Sequence, residues 1–187
     1  RTFDIVTSIL VLTLGLPFYV LIAVLVKLGS KGPIFYTQER IGLGGKPFYI
    51  IKFRSMKVDA EAAGPQLSKE EDPRITTMGK YLRKTRLDEF PQFWNVLVGD
   101  MSVVGNRPER QFFIDQIMQK APHYKRLQKI KPGITSWGQV KYGYAENVDE
   151  MVERLQYDLL YLENISIMLD LKILIYTVII MLQGRGK

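Results

Sequence analysis

Residues 5–26, IVTSILVLTLGLPFYVLIAVLV, hold no charged side chain. At helical rise this run reaches about 33 Å, close to the apolar thickness of a bilayer. A secretory leader has a shorter apolar stretch, about 7–15 residues, followed by a small-residue cleavage site. A helix apolar on every side belongs in a large core or a membrane. A chain of 187 residues offers little core in which to hide it. Pro17 falls inside the run, removes a backbone hydrogen bond and clashes with the carbonyl four residues earlier, so a kink is expected there. Arg1 precedes the segment while Lys27 and Lys31 follow it, so both flanks are positive. Symmetric flanks favour a segment that enters the bilayer and returns over one that crosses it.

Beyond Gly29 and Gly32 the pattern shortens to extended runs at residues 34–38 and 48–53, split by Gly42, Gly44 and Gly45. This predicts a β-hairpin. The glycines lead into no helix, as a phosphate-cradling loop would require. Residues 57–72, charged and centred on Gly64-Pro65, read as a mobile surface loop. A basic helix is expected from Met78 to Thr85. A second begins near Asp88 with Pro91 in its first turn, and a third runs from Pro108 to just before Pro122. Asn147 with Glu150 resembles a capping box ahead of Met151, Leu155, Leu159 and Leu162 at helical spacing. The last apolar segment, residues 165–182, carries Asp170 and Lys172, and its uncharged part is too short to cross a bilayer. It should lie in the interface or pack on the N-terminal helix. The expected fold is α/β of the α+β kind, mostly helical, in one domain over residues 1–187. Its parts are a kinked re-entrant helix (1–30), a cytoplasmic catalytic portion (31–164) and an interfacial amphipathic helix (165–187).

A net charge of +7 draws in anionic lipids, nucleotides or nucleic acid. A nucleic-acid module would leave the apolar N-terminus unexplained, so no nucleic-acid partner is expected. The absence of cysteine excludes disulfides and thiolate metal sites, and any metal would be held by oxygen. Against this basic background Asp88 and Glu89 stand side by side between apolar residues. Adjacent positions point in different directions, so the two carboxylates can take different tasks. A carboxylate serves as a covalent nucleophile or as a magnesium ligand at a diphosphate. Equally, Asp88 could cap a helix and Glu89 favour its first turn. Arg83, Arg86 and Arg107 flank the pair, and guanidinium groups suit phosphate oxygens. Ordinary surface ion pairing is the alternative for Arg86 and Arg110.

The stretches Leu87-Asp88-Glu89-Phe90-Pro91-Gln92, Asn95-Val96-Leu97-Val98-Gly99-Asp100-Met101-Ser102 and Gly105-Asn106-Arg107-Pro108-Glu109 together resemble the bacterial sugar transferase family, the monotopic polyprenyl-phosphate phosphoglycosyl transferases. Gln38-Glu39-Arg40-Ile41-Gly42, Lys52-Phe53-Arg54-Ser55-Met56 and Lys131-Pro132-Gly133-Ile134-Thr135-Ser136-Trp137-Gly138-Gln139 extend the likeness over essentially the whole chain. The resemblance implies that Asp88 attacks the β-phosphate of a UDP-sugar, releasing UMP, and that a polyprenyl phosphate then takes the sugar phosphate. It further implies that Glu89 assists the acceptor, that Arg83, Arg107 and Pro108 hold phosphate or nucleotide, that Mg2+ sits at Asp88, and that Pro17 marks the re-entrant break. The implied setting is the cytoplasmic face of a bacterial inner membrane, among membrane lipids, at the first step of surface-glycan synthesis. A homo-oligomer stays open. Where the family usually has Gly-Pro-Arg-Pro this chain has Asn106, which leaves a catalytically silent membrane scaffold as the alternative. A longer parent with preceding membrane helices is compatible with the start at Arg1.

Overall fold

The computed structural model describes residues 1–69 and 71–186. Helices α1 (Thr2–Leu14) and α2 (Leu16–Gly29) meet at 62°. Neither is long and apolar enough to cross a membrane alone, although the bent pair together is. The break lies at Gly15, two residues before the proline. A Cβ there would stand 2.3 Å from the Val11 carbonyl oxygen and 2.8 Å from the Tyr19 ring, so the bend depends on glycine. Pro17 falls in the first turn of α2, where its missing N–H costs nothing. Apolar side chains such as Leu14, Phe18 and Leu28 face outward. Polar ties join the pair to the rest. Asp4 is buried and accepts from the Ser102 hydroxyl (2.8 Å) and the Val103 N–H (3.0 Å), while the Tyr19 hydroxyl donates to the Phe90 carbonyl (2.9 Å).

Strands β1 (Phe35–Ile41) and β2 (Pro47–Phe53) form the expected antiparallel hairpin, with Phe35 opposite Phe53 and Ile41 opposite Pro47. The glycine cluster is its turn: Gly44 and Gly45 have φ of 68° and 75°, a left-handed backbone that side chains resist. Helix α3 (Thr77–Lys84) is capped by the Thr76 hydroxyl, which accepts from the Gly79 N–H. The helix expected to begin near Asp88 is delayed. Leu87–Glu89 forms a 3-10 turn, and α4 (Gln92–Val98) starts only after Pro91. Arg86, a non-glycine residue at φ 56°, breaks the backbone path between α3 and this turn.

A parallel pair of short strands, β3 (Ser102–Val104) and β4 (Gly133–Thr135), had no counterpart in the sequence reading. Three residues are too few to show alternation. The helix expected from Pro108 begins later, as α5 (Gln111–Lys120), because Arg110 is extended and the Glu109 carbonyl before it accepts from the Ile41 N–H. Then follow a 3-10 stretch (Pro122–Lys129), α6 (Trp137–Lys141), α7 (Val148–Glu163) and α8 (Ile167–Leu182). The cap before α7 is present: the Asn147 side chain accepts from the Glu150 N–H, while the Glu150 carboxylate reaches one residue past the N-cap and accepts from the Glu146 N–H. Helix α8 packs on α6 and the β3–β4 pair. Its Ile173 is fully buried and the Thr135 and Thr177 hydroxyls are 2.7 Å apart, while Ile167, Met168 and Leu182 stay exposed. One apolar cluster gathers Phe113, Ile117, Met151 and Leu155 from α5 and α7, and another gathers Ile22, Val26, Phe53 and Leu82 around α2. Phe53 and Phe113 both line one cavity, which therefore lies between these two clusters.

Candidate active site

The 3-10 turn sends its two carboxylates opposite ways. Asp88 lines the cavity, which holds about 260 Å³, and accepts no hydrogen bond among the described residues. It therefore caps no helix. Glu89 turns inward and is saturated: Lys52 Nζ lies at 2.7 Å, Arg86 Nη2 at 2.7 Å and Arg107 Nη1 at 3.2 Å. All four side chains are largely withdrawn from water, so these pairs interact more strongly than surface ones do.

The protonation states diverge accordingly. Burial pushes the Asp88 carboxyl up from 3.8 to about 6, the charge on Glu89 adds to this, and Lys52, Arg83 and Arg86 oppose it. Burial would raise Glu89 too, but Lys52, Arg86 and Arg107 overcome it and hold that carboxyl well below 4.5. Two adjacent acids thus become a permanently ionised counter-charge and a free carboxylate that titrates within reach of neutral pH.

Arg83 lines the cavity beside Asp88, and its buried Nε has no hydrogen-bond partner among the described residues. Arg107 lies between two carboxylates, Glu89 and Glu109, and its guanidinium sits 5.5 Å over the Tyr144 ring. Pro108 is buried and outside the cavity lining, and its carbonyl accepts from Arg40 (3.2 Å). It shapes the backbone that presents Arg107. Asn106 is buried as well, and its carbonyl accepts from the Gly133 N–H (2.9 Å), so this loop is held by β4 without a proline at 106. Arg86, for which surface ion pairing was the alternative, is buried and braces the turn through Glu89, the Ile134 carbonyl and Gln139. Arg110 does make an ion pair, with Glu61 at 2.9 Å.

Several side chains at the cavity were not among the candidates expected from the sequence. Lys52 is one, and its signal was available: it shares a strand face with buried Ile50, so a lysine was pointing inward. Glu109 bridges Arg154 (2.6 Å) and Arg40 (3.3 Å) at the cavity wall, joining β1, α7 and the loop after β3. That network is visible only in three dimensions. The loop at 57–72 contributes Lys57, Val58, Glu61 and Leu67 to the cavity wall, a role beyond that of a surface connection. Arg74 gathers the ends of that loop by donating to the Ala60 (3.1 Å) and Leu67 (3.2 Å) carbonyls and pairing with Asp72.

No group of three His, Cys, Asp or Glu side chains is placed to hold a metal ion among the described residues. Asp88, with its oxygens unengaged, can supply one ligand, and a bound diphosphate would have to complete the shell, which suits magnesium.

Residues 1–184 match the family model described as bacterial sugar transferase. The chain belongs to the bacterial sugar transferase family. Among curated relatives of this transferase domain, the UDP-N-acetylgalactosamine-undecaprenyl-phosphate N-acetylgalactosaminephosphotransferase of Aeromonas hydrophila is 41% identical over 186 residues, covering 100% of this chain and 44% of that protein. The UDP-glucose:undecaprenyl-phosphate glucose-1-phosphate transferase of Klebsiella pneumoniae is 44% identical over 180 residues, covering 95% and 39%. The Escherichia coli (strain K12) transferase of the same description is 42% identical over 180 residues, with the same coverage. The chain thus spans under half the length of these relatives. Their donors differ at nearly equal identity, so the likeness does not single out a sugar.

Proposed function

We propose that this domain transfers a sugar 1-phosphate from a UDP-sugar to a polyprenyl phosphate through a covalent aspartyl intermediate on Asp88. The observation that carries this reading is the division of the dyad: Asp88 opens unbonded onto the cationic cavity, while Glu89 is engaged by three cations. In the first step an Asp88 oxygen bonds to the β-phosphorus of the donor, the bond from that phosphorus to the bridging oxygen breaks, and UMP leaves. In the second, an oxygen of the lipid phosphate bonds to the same phosphorus and Asp88 departs as carboxylate. Arg83, Lys52 and Arg107 stabilise the charge on the transferring phosphoryl group. Asp88 would hold a magnesium ion, whose chemistry there would be to neutralise charge on the donor's phosphate oxygens.

Glu89, held well below 4.5, is a weak proton acceptor near neutrality. Its task is to fix Lys52 and Arg107 at the cavity wall. The bent α1–α2 pair enters the lipid and returns, which puts Arg1 and Lys31 on the same side, and the exposed apolar face of α8 rests in the interface. The setting proposed for the catalytic portion is the cytoplasmic face of a bacterial inner membrane, where a net charge of +7 suits anionic lipid head groups.

The reading is tested by exchange of labelled UMP into a panel of UDP-sugars with no lipid present. Exchange with at least one donor is expected, because only a covalent enzyme form returns label to the sugar nucleotide. Lipid-dependent transfer without exchange would indicate direct attack by the acceptor, and neither activity would indicate a silent scaffold. The pH profile has a defined sign. The attacking group is the ionised carboxylate and its folded pKa is about 6, so exchange should fall tenfold per pH unit below that value. An acid limb centred near 4 would contradict the effect of burial on Asp88.

A further inference from the structure

Arg54, at the end of the hairpin, plays no part in the chemistry above, yet it is 4% exposed and lines the same cavity. Its Nη2 donates to the Ser30 carbonyl (2.7 Å) and hydroxyl (2.8 Å), but Nε and Nη1 are buried with no hydrogen-bond partner, and no carboxylate pairs with it among the described residues. A buried guanidinium with two unmet donors and no counter-charge is costly unless an anion completes it. Glycine holds it in place: Gly32 has φ of 131°, and a Cβ there would lie 1.9 Å from Arg54 Nη1.

We infer that Arg54 forms a second anion subsite, separate from the donor diphosphate, which takes the phosphate monoester of the lipid acceptor. This rests on the reading of Asp88 as nucleophile. The location decides which anion binds. Arg54 is tied to Ser30, the residue that closes α2, so it stands where the apolar helix pair joins the cavity. Leu28, Phe35 and Val58 are exposed apolar side chains on this part of the chain, and the latter two line the cavity. A soluble nucleotide needs no such path, whereas a phosphate carrying an isoprenoid tail must keep that tail in apolar surroundings while its head reaches Asp88. Lys52, Arg107 and Arg83 remain for the donor.

The test separates the two partial reactions in Arg54→Gln. Exchange of UMP without lipid should stay within about twofold of the parent protein, while KM for a short-chain polyprenyl phosphate rises about tenfold or more, the loss expected for a hydrogen bond to a charged group. Exchange that falls in parallel with transfer, or transfer that keeps its KM, would overturn the assignment. If Arg54→Gln does not fold, Gly32→Ala keeps the charge but pushes the guanidinium aside, and it carries the same expectation. Should the parent protein exchange no donor at all, the proposed chemistry fails separately. Binding of a fluorescent short-chain polyprenyl phosphate to the parent and Arg54→Gln proteins then decides the subsite: equal affinity refutes it, and about tenfold weaker binding in the variant supports it.

Discussion

Asp88→Asn should reduce UMP exchange by a factor on the order of 10⁴ or more and, at the same time, raise the melting temperature at pH 7.5. The first effect follows from removing the nucleophile. The second follows from the position of the carboxyl, whose folded pKa of about 6 lies above the ordinary 3.8. Above about 6 the folded protein carries an ionised group that burial disfavours, and the cost is fully present. Below about 3.8 the group is protonated in both states and the cost vanishes. Asparagine removes the charge while keeping the shape. A shift of this size corresponds to roughly 2–3 kcal/mol, or about 4–12 °C for a chain of this length. Melting curves in detergent at pH 4 and pH 7.5 check the sign: the gain should be small at the lower pH and full at the higher. A variant that loses activity and also loses stability at pH 7.5 would show that Asp88 is structural.

Glu89→Gln is expected to act in the other direction on stability. It leaves Lys52, Arg86 and Arg107 facing one another with no carboxylate between them, and breaking a buried pair from one side costs about 3–5 kcal/mol. Exchange should fall on the order of 10²–10³, because Lys52 and Arg107 lose their fixed positions. Whatever exchange remains should have its acid limb at lower pH, since the negative neighbour that raises Asp88 is gone and the cations that lower it stay. The kinetics distinguish this from a proton-accepting role. A base serving only the acceptor would leave lipid-independent exchange untouched, whereas loss of the organising charge impairs both partial reactions. Parent-like stability together with parent-like exchange would refute the assigned role.

These two outcomes come from adjacent residues, and the sequence showed their adjacency but not their division of labour. The apolar run, the glycine-turned hairpin and the Asn147 cap were legible because each rests on local chemistry: hydropathy, a left-handed turn and an oxygen before a helix. The β3–β4 pair was not, because Gly105 and Gly133 meet across a long separation. A Cβ on Gly133 would lie 2.1 Å from the Gly105 nitrogen, which is a tertiary constraint. Asp88 and Glu89 stood out as acids in a basic chain, and Arg107 as a flanking guanidinium. The left-handed Arg86 that turns one carboxylate outward and the other inward left no local trace, since positive φ is ordinarily the province of glycine and asparagine. Lys52 could have been read from strand alternation, while the Glu109 bridge between Arg40 and Arg154 joins residues remote in sequence.

The proposed chemistry turns on a bond between an Asp88 oxygen and phosphorus. The protein is incubated with a donor that supports exchange, without lipid acceptor, quenched, digested and analysed by mass spectrometry. The expected result is a peptide containing Asp88 heavier by one sugar phosphate, absent in Asp88→Asn and discharged when polyprenyl phosphate is added before the quench. Sugar phosphate on a different residue, or transfer to lipid with no adduct at any time of quenching, would contradict it.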